Sequence, residues 1–244
     1  MTLVSQRLLE VALERSLRVT TVKSYERLLG RIHLLTRQVH DVTKEECLSL
    51  VWEISNPNSR RSTVVAIRAV LGLDLKIPRA VPRRYELPSE DTLRMALMMT
   101  PHETRGLLMM YAGLRVGEAC AANRRWVSGD RLTVAEQMVE ITRTLGPVKS
   151  TEATITIPWW LAHRVDSLTG TEQPASVRES LRRAGKKCGI VLGPHALRKW
   201  YITALIERGV ALELVRKQAR HSSLTTTLTH YQEWDPQAIH DVLG

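Results

Sequence analysis

At 244 residues the chain is long for one domain and comfortable for two. A formal net charge of +10 and a pI near 9.9 point to a polyanionic partner, with nucleic acid ahead of a membrane surface, although solubility alone can also call for charge. Three scattered cysteines (Cys47, Cys120, Cys188) argue against a disulfide framework or a cysteine metal site, and no apolar run reaches the roughly 18 residues of a membrane span.

Phe is absent, so Leu, Val, Ile, Met and Ala must fill the core. Arg7, Glu10, Glu14 and Arg15 interrupt any signal-peptide core, and a reduced cytoplasmic location fits. Residues 3–16 place Leu8, Leu9, Ala12 and Leu13 at helical spacing. A second helix is predicted from Thr20 or Thr21 towards His40, with Tyr25, Leu28, Leu29, Ile32 and Leu35 on one face. Thr43 with Glu46 forms a capping-box pattern before a third helix, and a turn at Asn56-Pro57-Asn58 precedes a fourth from Ser59 to Leu73. Lys23, Arg27 and Arg31 lie four apart on the second helix, and Arg60, Arg61 and Arg68 mark the fourth. The stripe on the second helix suits either solvent or a phosphate backbone. Residues 1–75 thus read as a small helical domain. Residues 76–84, with two prolines and four basic residues, read as a basic linker.

Residues 85–244 form the second predicted domain. Pro88-Ser89-Glu90-Asp91 starts a helix, and another runs from about His102 to Ala112 with Met109 and Met110 as core residues. Gly113 ends it and a further helix begins near Val116. Arg115, in that turn, offers either a guanidinium fork for a phosphate or a surface ion pair with Glu118. From Arg125 to Pro158 the residues turn β-like, with turns expected at Ser128-Gly129-Asp130 and Gly146-Pro147, so one small antiparallel sheet is expected. Lys149 is the only lysine between Lys76 and Lys186. Helices follow over Pro158–Leu168, where Trp159 and Trp160 suit packing better than base stacking, and over Ser176–Cys188. The fold class is therefore mainly α with a small antiparallel β-sheet (α+β).

The stretch Ser176–Arg220 holds eleven Lys and Arg against three acidic residues, so most of the net charge sits there. Within it Gly193-Pro194 opens a helix whose His195 and Arg198, three apart, share a face. Gly209 ends that helix, another begins at Leu212, and His221 and Tyr231 follow. Phosphoryl transfer needs cations on the non-bridging oxygens, proton carriers and a nucleophile, and these side chains supply each kind.

His195-Ala-Leu-Arg198, the helix pair, Arg220-His221-Ser222-Ser223 and Tyr231 resemble the C-terminal signature of the tyrosine recombinase (phage integrase) family: H-x-x-R, two helices, G-H-S-S and Tyr. Gly113-Leu-Arg-Val-Gly-Glu118 resembles its other box, G-L-R-x-G-E. The resemblance implies a helical core-binding domain followed by a catalytic domain, in a short integrase with no room for an N-terminal arm-binding domain. It implies catalytic roles for Arg115, Lys149, His195, Arg198, His221 and Tyr231. Arg115 and Arg198 would clamp the phosphate, His195 and His221 would contact it or carry protons, Lys149 would protonate the leaving oxygen, and Tyr231 would attack phosphorus. The product is a 3′-phosphotyrosyl link and a free 5′-hydroxyl, so rejoining needs neither ATP nor a metal and no cofactor is expected.

The expected partners are double-stranded DNA core sites, a second copy as a homodimer on each site, and a homotetramer at synapsis, with an accessory DNA-bending protein as a further candidate. The expected place is the host cytoplasm, at the nucleoid. Two departures stand out. Arg220 occupies the glycine position of the G-H-S-S box, which alters the local turn or adds a phosphate contact. Tyr231 lies one residue beyond the usual spacing from His221, where the usual register falls on His230. The alternatives are relaxation of DNA in the manner of a type IB topoisomerase, and sequence-specific DNA binding without catalysis.

Overall fold

The computed structural model describes residues 2–81, 87–148, 152–221 and 223. The chain divides into two compact units, Met1–Arg84 and Tyr85–Gly244.

The first unit is helical: α1 (Val4–Glu14), α2 (Val19–Arg31), α3 (Lys44–Trp52) and α4 (Pro57–Leu71). Each begins or ends where local chemistry dictates. Thr43 Oγ1 accepts the Glu46 N–H at 3.1 Å, while the Glu46 carboxylate turns away to Arg37 at 2.6 Å, so only half of the expected capping box forms. Asn56 caps α4 and Pro57 takes its first position, so this helix starts two residues before the expected Ser59. The second helix stops at Arg31, not near His40. His33 takes a left-handed conformation (φ 57°), and Leu34 then folds back into the core with its N–H on the Leu29 carbonyl. Leu8, Leu28, Leu29, Leu34, Ile67 and Val70 fill that core.

Arg60, Arg61 and Arg68 do not form a solvent stripe. Arg60 donates to the carbonyls of Ile54 and Trp52 and lies over the Trp52 ring. Arg61 donates to the Pro78 carbonyl, Arg68 to that of Leu75, and Asn58 exchanges two hydrogen bonds with Val81. Residues 72–81 are therefore strapped onto α4, with Leu75 fully buried. The segment expected to begin a linker at Lys76 is held to the first unit as far as Val81. Lys23, Arg27 and Arg31 are exposed on α2.

The second unit contains α5 (Glu90–Met98), α6 (Glu103–Tyr111), α7 (Val116–Ala121), β1 (Val127–Ser128), β2 (Arg131–Val134), β3 (Glu136–Val139), β4 (Thr144–Pro147), β5 (Ala153–Thr156), α8 (Trp159–Val165), α9 (Pro174–Lys187), α10 (Pro194–Glu207) and α11 (Leu212–Ala219). Its centre is α6, whose Leu107, Leu108, Met109 and Met110 are all buried and which packs against α7, α8 and α10. Around it lie Leu93, Leu97, Leu114, Leu132 and Leu161. Each such side chain contributes about 1.5–3 kcal/mol by leaving water.

The expected single sheet is two. Strands β1, β2 and β5 form one antiparallel sheet, and β3 and β4 form a separate hairpin. The chain leaves the first sheet after Val134 because β3 packs on α7, where the Met138 carbonyl approaches Gly117 so closely that a Cβ there would sit 2.9 Å from it. Gly146 and Pro147 belong to β4, and the hairpin turns earlier, over residues 140–143, with Arg143 at φ 56°. Trp160 packs edge-on against Tyr111 at 5.2 Å, as expected for a core residue, whereas Trp159 is exposed. Among the described residues no helix is long and apolar enough to cross a membrane.

Candidate active site

The turn between α6 and α7 sets one wall. Gly113 closes α6 at φ 62°, and Arg115 becomes the N-cap of α7. Glu118, three residues on, reaches back over the first turn. Its Oε2 accepts the Arg115 backbone N–H at 2.7 Å, and its Oε1 accepts from Arg115 Nη1 at 3.0 Å. This satisfies an orphan helix-start donor and fixes the guanidinium with the same carboxylate. The ion pair weighed as an alternative is thus present, and Glu118 is 1% exposed, so it is no surface pair.

The second wall is α10. Arg198 is buried and donates to two carbonyls, those of Gly113 and Ala219. His195 stands three residues earlier, exposed in the first turn of the same helix.

The third is the end of α11. Arg220 takes the left-handed conformation (φ 56°, ψ 45°) that a glycine adopts without strain, and its side chain turns inward. Its Nη2 lies 2.6 Å from Glu118 Oε2 and 3.4 Å from the Gly113 carbonyl, while its own carbonyl accepts from Arg115 Nη2 at 3.4 Å. Arg220 therefore keeps a turn open to glycine, and its guanidinium meets a carboxylate. His221 follows, buried, and Arg216 grips its backbone at both ends: the His221 N–H donates to the Arg216 carbonyl at 3.0 Å, and Arg216 Nη1 donates to the His221 carbonyl at 2.9 Å.

The structure thus brings together Arg115, Arg198 and the backbone of His221, and places His195 on the Arg198 helix. Lys149 and Tyr231 lie outside the described residues, as do the residues from Leu224 to the C-terminus. Sequence reasoning named Glu118 and Arg220, but missed the Gly113 and Ala219 carbonyls and the Arg216 brace. Gly113 carried a signal as the glycine of G-L-R-x-G-E. The other two carry none, because backbone acceptors and a brace five residues upstream of His221 have no residue-type signature.

Burial alone would raise the Glu118 carboxyl, but Arg220 and Arg115 outweigh it and hold it below its usual range. Burial, with Arg115 and Arg220 adding repulsion, presses Arg198 down to about 9, still cationic at neutral pH. Three guanidinium groups face one carboxylate, which leaves a positive excess suited to an anion. Beside the cluster opens a cleft of about 1150 Å³ lined by Thr156, Tyr201, Leu205, Leu214, Arg220 and His221 among others. Among the described residues no group of three or more His, Cys, Asp or Glu could hold a metal ion.

The chain has known counterparts in sequence and in fold. The model of the phage integrase family matches residues 90–238, and the chain belongs to that family. The tyrosine recombinase XerA of Thermococcus kodakarensis is 27% identical over 175 residues, covering 62% of this chain and 58% of that protein. A tyrosine recombinase of Pseudothermotoga lettingae is 28% identical over 183 residues, covering 66% and 60%. The matches span less than two thirds of either relative's length. Among solved structures, the Tn1549 transposon integrase in complex with transposon right end DNA superposes with a TM-score of 0.74 at 15% identity, covering 99% of this chain and 98% of that one. A lambda integrase dimer bound to a COC' core site gives 0.66 at 17%, covering 93% and 94%. The fold is the one these integrases share.

Proposed function

We propose that the protein is a site-specific DNA recombinase that cleaves and rejoins strands through a 3′-phosphotyrosyl intermediate on Tyr231. The observation that carries this reading is that Arg115, held by Glu118, and Arg198, held by the Gly113 and Ala219 carbonyls, meet at the end of α11 just before the braced His221, in a chain of the phage integrase family. Two guanidinium groups held by fixed acceptors offer preorganised positive charge to the non-bridging oxygens of a phosphodiester, worth most as the transition state gathers charge. His221 and His195 supply hydrogen bonds or protons to the same phosphate, and Lys149 protonates the leaving 5′-oxygen. Tyr231 attacks phosphorus: the P–O5′ bond breaks as the P–O–Tyr bond forms, so the free energy of the ester is kept and the reverse step reseals the strand.

Glu118 orients Arg115 rather than touching substrate. The first unit grips the core site through the exposed Lys23, Arg27 and Arg31 of α2, and the second unit is the catalytic domain. A homodimer binds each core site, two dimers form the synaptic tetramer, and the work is done in the cytoplasm on the nucleoid. The Tn1549 integrase in complex with transposon right end DNA and the lambda integrase dimer bound to a core site support the choice of partner.

The test is covalent trapping. Nicked duplexes carrying candidate core sites are incubated with wild-type and Tyr231→Phe protein in EDTA without ATP. A protease-sensitive adduct from wild type alone is the expected result. An adduct formed by Tyr231→Phe would remove the nucleophile assignment, and DNA binding by both with no adduct across a genome-derived site library would favour a non-catalytic binder.

A further inference from the structure

Arg220 is the residue that departs from the family box, and it is buried at two local disadvantages. Its backbone sits at φ 56°, a region that residues other than glycine and asparagine seldom enter. Its Nε and Nη1 are buried with no hydrogen-bond partner among the described residues, and unpaired buried donors are costly. Glycine at this position would carry neither burden. Strain of this kind persists where surrounding structure holds it for a purpose.

From these contacts we propose that Arg220 is a positioning residue of the anion site, setting Arg115 and Arg198 through the acceptors it shares with them. The proposal rests on the phosphodiester reading above. Arg220 shares Glu118 with Arg115 and the Gly113 carbonyl with Arg198, and its own carbonyl receives Arg115 Nη2. One residue thus touches the partner set of both arginines. Its side chain is only 2% exposed, so it acts through its neighbours and not on substrate. The charge balance gives the consequence. With Arg220 absent, the Glu118 carboxylate is left to Arg115 and draws that fork inward, and the net positive charge of Arg115, Arg198 and Glu118 falls to one. With Arg220 present the excess is two, and Arg115 is held by a carboxylate whose charge is already shared.

The experiment uses the full-length protein and inorganic phosphate as probe. The side-chain Nε–H signal of Arg115, assigned by its loss in Arg115→Lys, is followed by NMR during phosphate titration of wild type, Arg220→Gly and Arg220→Lys. Arg220→Gly is expected to bind phosphate on the order of tenfold more weakly, the loss of one unit charge about 10 Å away at an effective dielectric of about 20. Its melting temperature should fall, because the buried Glu118 carboxylate loses a partner, with the relieved backbone offsetting part of that loss. Arg220→Lys, which keeps the charge without the fork, should fall between. On any core site that wild type cleaves, Arg220→Gly should slow single-turnover adduct formation by a similar factor at saturating DNA, with DNA affinity unchanged within about twofold.

Phosphate affinity equal to wild type in Arg220→Gly overturns the proposal while the recombinase reading stands. If Arg220→Gly fails to fold, wild-type affinity in Arg220→Lys does the same. A melting temperature that falls with no change in phosphate affinity makes Arg220 merely structural. A wild-type Arg115 signal indifferent to phosphate removes the anion site itself, and the positioning role with it.

Discussion

Gly113→Ala tests the corner on which the site is built. Two costs can be worked from the structure. The position has φ 62°, where a Cβ costs roughly 1–2 kcal/mol. The new methyl would also stand 2.5 Å and 2.7 Å from Cδ1 and Cε1 of Tyr201, a buried residue of α10, and overpacking of that kind costs about 1–3 kcal/mol. The sum, about 2–5 kcal/mol, corresponds to a fall of roughly 5–15 °C in the transition of the second unit. Differential scanning calorimetry reads the shift, and hydrogen exchange locates it. Peptides over residues 107–121 and 197–205 should lose protection while those over 4–71 keep theirs. Combining Gly113→Ala with Tyr201→Leu should recover the clash but not the backbone cost, giving less than additive destabilisation. A melting shift under about 2 °C, or strict additivity in that cycle, would refute the reasoning.

Glu118→Gln removes a buried carboxylate from between two arginines and should cost about 3–5 kcal/mol at neutral pH. Because the folded carboxyl lies below its ordinary value of 4.5, the stability it supplies is full above that value and is lost as pH falls through the lower folded one; denaturation curves of wild type and variant should converge on acidification, and a constant gap would contradict this. Arg115→Ala and Arg198→Ala should each lower single-turnover cleavage by 100-fold or more, on the order expected for a lost transition-state donor, with a much smaller loss of DNA affinity; equal losses in binding assays would make them anchoring residues. DNA affinity itself should fall steeply with salt, with a log–log slope of about −0.9 per phosphate neutralised, and Lys23→Ala, Arg27→Ala and Arg31→Ala should each flatten it; a slope unchanged by all three would take α2 out of the interface.

The parts of this molecule that follow local rules were legible in its residues. Ser89-Glu90 starts a helix, Gly113 and Gly209 end theirs at positive φ, and Met109 and Met110 are core, whereas Asn56-Pro57, expected as a turn, begins α4, and Gly72, expected inside that helix, ends it. The G-L-R-x-G-E and H-x-x-R boxes located two walls of the candidate site before any fold was known. What escaped depends on tertiary choice. His33 and Arg143 enter the left-handed region with no glycine to announce it. The hairpin β3–β4 leaves its neighbouring sheet because α7 offers a groove at Gly117, which periodicity does not register. The carbonyl partners of Arg60, Arg61 and Arg68 were not legible, since a guanidinium that clasps carbonyls is indistinguishable in sequence from one that faces solvent.

That clasp has a practical side for anyone dividing the chain. A first unit cut before Lys76 would keep Arg61 and Asn58 but discard the carbonyls and amide they bind at Pro78 and Val81, and would strip Ile77 from the core it packs against. Such a fragment would start life with frayed edges and a tendency to clump, and its weak DNA affinity could be mistaken for a property of the intact protein. A fragment ending at Val81 keeps its selvage, and is the piece to express when the proposed DNA grip of the first unit is to be tested by itself.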